Sequence, residues 1–461
     1  MNKIIAAILI MILSVAMMTG CDGFPNENKV DIEQSIYDEY ESMIDAFIGV
    51  DEISVVSDYL LQWAQSYQLD ARKDRFNNVI VQHPASSGLE DGKPVVIECG
   101  ISLQDLENDL RPVAIMLTAM KNLKDHNQVT FLFAPYEGRD YVGAKGIAES
   151  LLTEIKLINL NTYAPNMVTV SGAESAVYSM SRNIDLVDPS YQIAYEIKIN
   201  GLTGGYSDII KSKNPNAIKT LGNFLATCKS GGMLFELASF TGGENIGMYP
   251  VAASAIIVIN QNDETSLNNR FEKALKSFQD NYSESQPQFS YTLTQIGRPQ
   301  KVLSHADSDH IVSFLYTLFN GIYAKSETEN TVAISNLGMI STSESNFEAF
   351  LTMRSLDPAI LLTMQSDLSV ICNLNEFSYS LISGNAGWRQ LPGKSLAKEF
   401  SEIVSVKTAG YFNESQCSVY QSRNRDIEII SYGVDLIDCE KQCNNLIQYI
   451  ETSALSVEPV Q

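Results

Sequence analysis

The chain has four histidines, His83, His126, His305 and His310, and two tryptophans in 461 residues. Imidazole-based metal chemistry therefore has little to draw on. A catalytic zinc takes about three ligands from His, Cys or carboxylate and keeps a position open for water. Basic side chains are scarce too: 32 Lys and Arg stand against 55 Asp and Glu, a formal charge of −23. A polyanion would be repelled, which argues against nucleic acid or an anionic bilayer surface as partner. No apolar run after the first twenty residues is long and charge-free enough to span a bilayer, which takes about 20 residues. There is no Gly-x-Ser-x-Gly elbow, and the glycine turns at Gly172 and Gly242-Gly243 lack a phosphate-loop context. His305-Ala306-Asp307-Ser308-Asp309-His310 has the residue types of a metal cluster. It opens a helix, however, where Ser308 or Asp309 would cap and an acidic first turn is favourable.

What is present begins with a targeting segment. Lys3 supplies a positive charge, 4–17 an apolar stretch too short to span, and Met18-Thr19-Gly20-Cys21 resembles a bacterial lipobox. Residues 1–20 then read as a lipoprotein signal peptide and 21–30 as a polar tether. Cys21 is the lipidation site, anchoring the chain in a bacterial cell membrane and facing periplasm or exterior. Six cysteines remain: Cys99, Cys228, Cys372, Cys417, Cys439 and Cys443. Their spacing is not that of a disulfide scaffold, and buried thiols are the expectation.

The mature chain has the 45% hydrophobic content of a folded protein. Helical stripes run through Ile36, Tyr40, Met43 and Phe47, then Val55, Leu60 and Trp63. Strand and helix then alternate: strands at Asn78–Gln82, Pro94–Ser102, Val129–Ala134 and Lys156–Leu160, helices at Asp105–Leu123 and Gly143–Ile155. That alternation predicts a mostly parallel sheet covered by helices on both faces. After Tyr191 the pattern becomes α+β, with helices at Ala217–Leu225, Asn269–Phe278 and Ser308–Ile322 and a hairpin of Val332–Ser341 with Asn346–Ser355. The fold class is α/β interrupted by an inserted α+β domain: 31–190 and 377–455 form the first domain, 191–376 the insert, 456–461 a tail. In such sheets ligands bind beyond the carboxyl ends of the strands. Gly100, Ser102, Pro135 and Tyr136 stand there.

Several strings, in order, carry a resemblance: Asn78-Val79-Ile80-Val81, Lys93-Pro94-Val95-Val96-Ile97, Gly201-Leu202-Thr203-Gly204-Gly205-Tyr206-Ser207, Gly242-Gly243, Asn320-Gly321, Ser335-Asn336-Leu337-Gly338 and Met353-Arg354-Ser355-Leu356. Together they resemble the aminoacyl-histidine dipeptidases, a branch of the M20 zinc metallopeptidases. The resemblance implies a zinc-binding catalytic domain interrupted by a lid. It also implies a His-x-Asp pair where Gly100 and Ser102 stand, and a Glu-Glu pair where Pro135-Tyr136 stand, with Glu137 one place on. A metal-bridging Asp matches Asp109, a further ligand Asp matches Asn161, and a lid His that contacts substrate matches Tyr206. The last His belongs to a loop missing between Gly433 and Cys439. Zinc is the cofactor the resemblance implies, and its ligands are not found, so no cofactor is expected.

The resulting expectation is a non-catalytic, dipeptidase-like lipoprotein that binds a peptide or protein partner in its interdomain cleft. Tyr136, Glu137 and Tyr206 would line it, Arg354 could pair with a carboxylate as a bidentate donor, and Asp109 and Asn161 complete the candidates. One alternative is an active metallodipeptidase with a rearranged site, using Glu98, Asp109, Glu137 or Asp140. The other is a structural homodimer or assembly component.

Overall fold

The computed structural model describes residues 31–137, 140–205, 214–327, 330–412 and 415–455. Cys21, the tether and Tyr206 lie outside them. Asp31 caps α1 (Ile32–Ala46) by accepting from Gln34 N, and α2 (Ile53–Ser66) follows. Ile36, Met43, Phe47 and Leu60 are buried as the stripes require, but Val55 faces solvent and Val56 takes its place inward. Next come β1 (Asp70–Lys73), β2 (Val79–His83), β3 (Val95–Ile101), α3 (Leu106–Asn122), β4 (Val129–Pro135), α4 (Val142–Gly146), β5 (Lys156–Pro165) and β6 (Met167–Gly172). The helix expected over Gly143–Ile155 is cut to the five residues of α4 and a 3-10 turn, Glu149–Leu152. Gly143 and Gly146 explain the tight course there. A Cβ would come within 2.7 Å of Pro135 N at the first and 2.1 Å of the Phe76 ring at the second.

The chain then builds a second sheet from β7 (Glu174–Asn183), β8 (Leu186–Val187), β9 (Ile193–Asn200), α5 (Ala217–Ser230), β10 (Phe235–Gly242), β11 (Ala253–Ile259), α6 (Glu264–Tyr282), β12 (Ser290–Ile296), β13 (Val302–Leu303) and α7 (His305–Thr317). It continues through β14 (Gly321–Lys325), β15 (Thr331–Thr342), β16 (Asn346–Ser355), α8 (Pro358–Leu374) and β17 (Ser378–Asn385). The β8–β13 pair stands apart; the other strands run in the order β12-β9-β11-β10-β15-β16-β7-β17, with β14 beside β15. The expected hairpin is β15–β16. The expected helix over Ser308–Ile322 starts earlier, at His305, and stops at Thr317. Ser304, not Ser308 or Asp309, caps it by accepting from Asp307 N, and β14 takes up Gly321 onward.

Finally β18 (Trp388–Arg389), α9 (Leu396–Val404), β19 (Lys407–Tyr411), α10 (Gln416–Arg423), β20 (Glu428–Gly433) and α11 (Cys439–Leu455) return to the first sheet. Its order is β1-β2-β4-β3-β5-β20-β6-β18, with β19 beside β6. Its centre, β4-β3-β5-β20, is parallel, and its margins are mixed. The sheet boundaries expected at 190/191 and 376/377 shift. The chain leaves the first sheet at Ala173 and returns between Asn385 and Trp388, because β7 pairs with β16 on one side and β17 on the other.

Both faces of the first sheet are covered, which is why its strands read as near-continuous apolar runs. Val95, Ile97, Cys99 and Ile101 pack in the core that includes Leu110, Phe400 and Tyr449. Val96 packs on the other face, with Leu157, Cys417 and Tyr420. Glu98 and Gly100 share that second face, since strand side chains alternate. All six described cysteines are buried and unpaired, in line with the thiol reading. No described helix is long and apolar enough to cross a membrane.

Candidate functional site

β3 and β4 run parallel in register, Gly100 beside Ala134 and Ile101 beside Pro135, so their carboxyl ends emerge together. Tyr136 N continues the ladder by donating to Ile101 O at 3.0 Å. Here the chain brings two of the candidates into contact. Asp109, in the first turn of α3, accepts from the Ser102 backbone N–H at 2.8 Å and hydrogen-bonds the Tyr136 hydroxyl. Burial pushes Asp109 up to about 7, against the pull of those two hydrogen bonds. Tyr136 is raised in turn, first by burial and then by the Asp109 charge.

Gly100 has no room for a side chain. A Cβ there would lie 2.3 Å from Gln416 Nε2 and 3.0 Å from the Tyr136 ring. Helix α10 places Gln416 on that spot. Ser415 caps the helix by accepting from Cys417 N, and Tyr420 falls one turn further along. One helical turn is about 5.4 Å and two strand residues about 6.6 Å. Gln416 over Gly100 therefore sets Tyr420 beside Glu98, and the two side chains hydrogen-bond. Gln416 Nε2 donates to Ala134 O at 3.3 Å, and the Tyr420 hydroxyl donates to Gln416 Oε1 at 3.2 Å.

From Glu98 a hydrogen-bonded row crosses the sheet. Asn159, its register neighbour on β5, donates Nδ2 to Glu98 Oε2 at 2.7 Å. Ser431 on β20 donates to Asn159 Oδ1 and accepts from Asn161 Nδ2 at 2.7 Å. Asn161 is thus buried and engaged within the protein, its Oδ1 also taking the backbone N–H of Tyr163 and Ala164. Glu98 is fully buried, and burial raises it to about 8, with the Asn159 and Tyr420 hydrogen bonds opposing.

The remaining candidates are dispersed. Glu137 is exposed in a turn where its N–H donates to Asp140 O, and Asp140 pairs with Lys145. Arg354 is buried on β16 of the second sheet, between Ile334 and Ser175. His83 ends β2 beside Val129, the start of β4, so it and His126 sit at the far end of the sheet. The strings Asn320-Gly321 and Ser335–Gly338 are structural. Asn216 Nδ2 donates to Asn320 Oδ1 and Leu337 O, and a Cβ on Gly338 would strike Ile246 O at 2.1 Å. The sequence reading missed Gln416 and Tyr420. Their only signal was an amide and a phenol four apart on a short helix.

Zinc does not fit this floor. Gly100, Pro135 and Tyr136 offer no imidazole or carboxylate, the Asp109 carboxyl is held by Ser102 N and Tyr136, Ser102 and Asn161 are committed to the protein, and Gln416 fills the space over Gly100. Among the described residues no three His, Cys, Asp or Glu side chains converge on a point that could hold a metal ion.

No family model matches the chain. It is 22% identical over 340 residues to the cytosol non-specific dipeptidase of Escherichia coli (strain K12), covering 65% of this chain and 69% of that protein. Its structure overlays the aminoacylhistidine dipeptidase of Vibrio alginolyticus with a TM-score of 0.77 at 18% identity, over 92% of this chain and 99% of that one. A dinuclear metal-binding M20 peptidase of Bacillus subtilis overlays with a TM-score of 0.40 at 10% identity, over 92% and 99% of the two chains. The class is thus the fold of the aminoacylhistidine dipeptidase, a mixed α/β architecture with two large sheets. Within that class the chain is dipeptidase-like, and the relatives it matches are hydrolases.

Proposed function

We propose that this protein is a non-catalytic, M20 dipeptidase-like lipoprotein that binds a peptide or protein partner in the cleft above its first sheet. Its lipid anchor is at Cys21, on the outer side of a bacterial membrane. The observation that carries the reading is the side chain over Gly100: a carboxamide and a phenol ring occupy the place of a metal-binding imidazole. The amide and carboxyl groups of this floor are buried and hydrogen-bonded within the protein. The floor supplies no Lewis acid and no activated water. Tyr136, partly exposed over Asp109, is the floor group positioned to meet a ligand.

The test is metal analysis of the purified mature chain after dialysis against zinc and manganese, followed by calorimetry with dipeptides and short peptides. Less than a tenth of an equivalent of metal, no dipeptide hydrolysis and saturable peptide heat are expected. One bound ion per chain with hydrolysis would replace this reading with a rearranged metallodipeptidase. No heat with any peptide would remove the peptide-binding role.

A further inference from the structure

Away from the first sheet, helices α5 and α6 flank an open groove of about 980 Å³ on the second. Its walls are uncharged hydrogen-bonding side chains: Asn223 and Thr227 from α5, and Asn269, Ser277 and Asn281 along α6, with Asn262 just before it. Its floor is aromatic. Phe224, Phe278, Tyr282 and Tyr291 line it, and Phe278 lies 4.9 Å from Tyr282 and 5.9 Å from Tyr291 between ring centroids. Among the described lining residues there is no carboxylate, in a chain with 55 of them, and Ala274 is the one aliphatic side chain. Arg270 is committed to Gly231 O at 2.9 Å, which leaves Lys273 as the exposed cation. The Tyr291 side chain is buried, and its hydroxyl has no hydrogen-bond partner among the described residues.

We infer that this groove is a saccharide-binding site for a neutral, hydroxyl-rich oligosaccharide. Amides and hydroxyls both donate and accept, as sugar hydroxyls do, so either wall can satisfy a ring presented in several orientations. Tyr282, the partly exposed ring of the four, offers an apolar face to the C–H side of a sugar, with Phe224, Phe278 and Tyr291 packed beneath it. An extended peptide would instead need aliphatic pockets for alternate side chains, and the lining has none. A buried hydroxyl left unpaired is rare in a folded protein and calls for a partner; the Tyr291 hydroxyl is shut off from the open groove, so a water held beneath the sugar and bridging to it supplies one. The residues that bound the groove fall at three- and four-residue intervals along the whole of α6. That stripe is about 28 Å long at 1.5 Å per residue, enough for several sugar units in a row.

The experiment titrates the full mature chain with chitotetraose, with maltotetraose and with an uncharged Ala/Ser hexapeptide. Calorimetry is paired with saturation-transfer NMR. One saccharide site per chain is expected, with no hexapeptide heat that the Ser277→Trp variant below removes. The Asn223→Ala/Asn269→Ala double variant should weaken saccharide binding at least tenfold, both positions being exposed, with the thermal midpoint unchanged. Ser277→Trp, which fills the groove without removing a wall amide, should abolish it. Silence from both saccharides at millimolar concentration overturns the inference. So does hexapeptide binding at the groove, or unaltered saccharide affinity in both variants. None of these results depends on the cleft over the first sheet, so this inference and the proposed function can fail separately.

Discussion

Two buried acids, one on a strand of the first sheet and one on a helix packed against the second, behave in opposite ways. Glu98 on β3 faces an amide and a phenol, and burial raises it to about 8. Asp307 on α7 is buried as well. Burial pushes it up, but the Asp185 N–H, Ser304 and the Arg182 guanidinium together hold it below the usual carboxylate range. Arg182 meets Asp307 at 3.0 Å and Glu376 at 3.0 Å, and its guanidinium is itself largely buried. The difference is the cation. Where the second sheet keeps its acid charged by supplying an arginine, the floor of the first sheet neutralises its acid by protonation.

The contrast can be broken from either side. The largest effect is expected at Arg182. Arg182→Met leaves Asp307 buried without its cation, and urea unfolding at pH 7 should show a loss of roughly 3–5 kcal/mol. Asp307 has a depressed folded pKa, so its contribution is present above the carboxylate range and is lost as pH falls. The variant should therefore lose stability mainly at neutral pH and approach the parent in acid. Glu98 has the opposite sign. Its folded pKa lies above its unfolded one, so the folded state binds the extra proton, and stability declines as pH rises from about 4.5 to about 8. Glu98→Gln should unfold like the parent at pH 5 and be more stable by a few kcal/mol, roughly, at pH 8.5. A variant equally stable to the parent at both pH values would show that Glu98 is ionised in the fold.

The smallest effect concerns the filled floor itself. Gly100→Ala drives a Cβ into the end of the Gln416 side chain and should cost about 1–3 kcal/mol. In a Gln416→Ala background that cost should shrink by at least half. A double-mutant cycle with no coupling would show that the two residues do not share the space.

Much of the architecture was legible from pattern. The runs at Val95–Ile97 and Val129–Phe133 announced buried parallel strands, and the β15–β16 hairpin followed from alternation about Ser343-Glu344-Ser345. Boundaries were less legible. β7 and β17 alternate like any other strands, and nothing local tells which of two sheets a strand will join; only their pairing with each other and with β16 decides it. The helix expected over Gly143–Ile155 is cut short because Pro135 crowds Gly143 and Phe76, 70 residues before Gly146 in the chain, packs against that glycine. At the site, the missing imidazoles could be counted directly. Asp109 and Tyr136 could be placed near the strand ends, but their hydrogen bond could not.

Composition and order alone determined that this chain would fold as two sheets of different type, and that few imidazoles stood where the M20 resemblance wants them. Those are properties of residue identity and periodicity, which survive without coordinates. That Gln416 closes the floor, that Tyr420 stands over Glu98, and that Asn161 turns inward to Ser431 were decided by packing α10 and β20 onto β3 and β5. These contacts join residues some 270 to 320 positions apart. Their energies depend on burial and on the partner's distance, and neither is written in the local sequence.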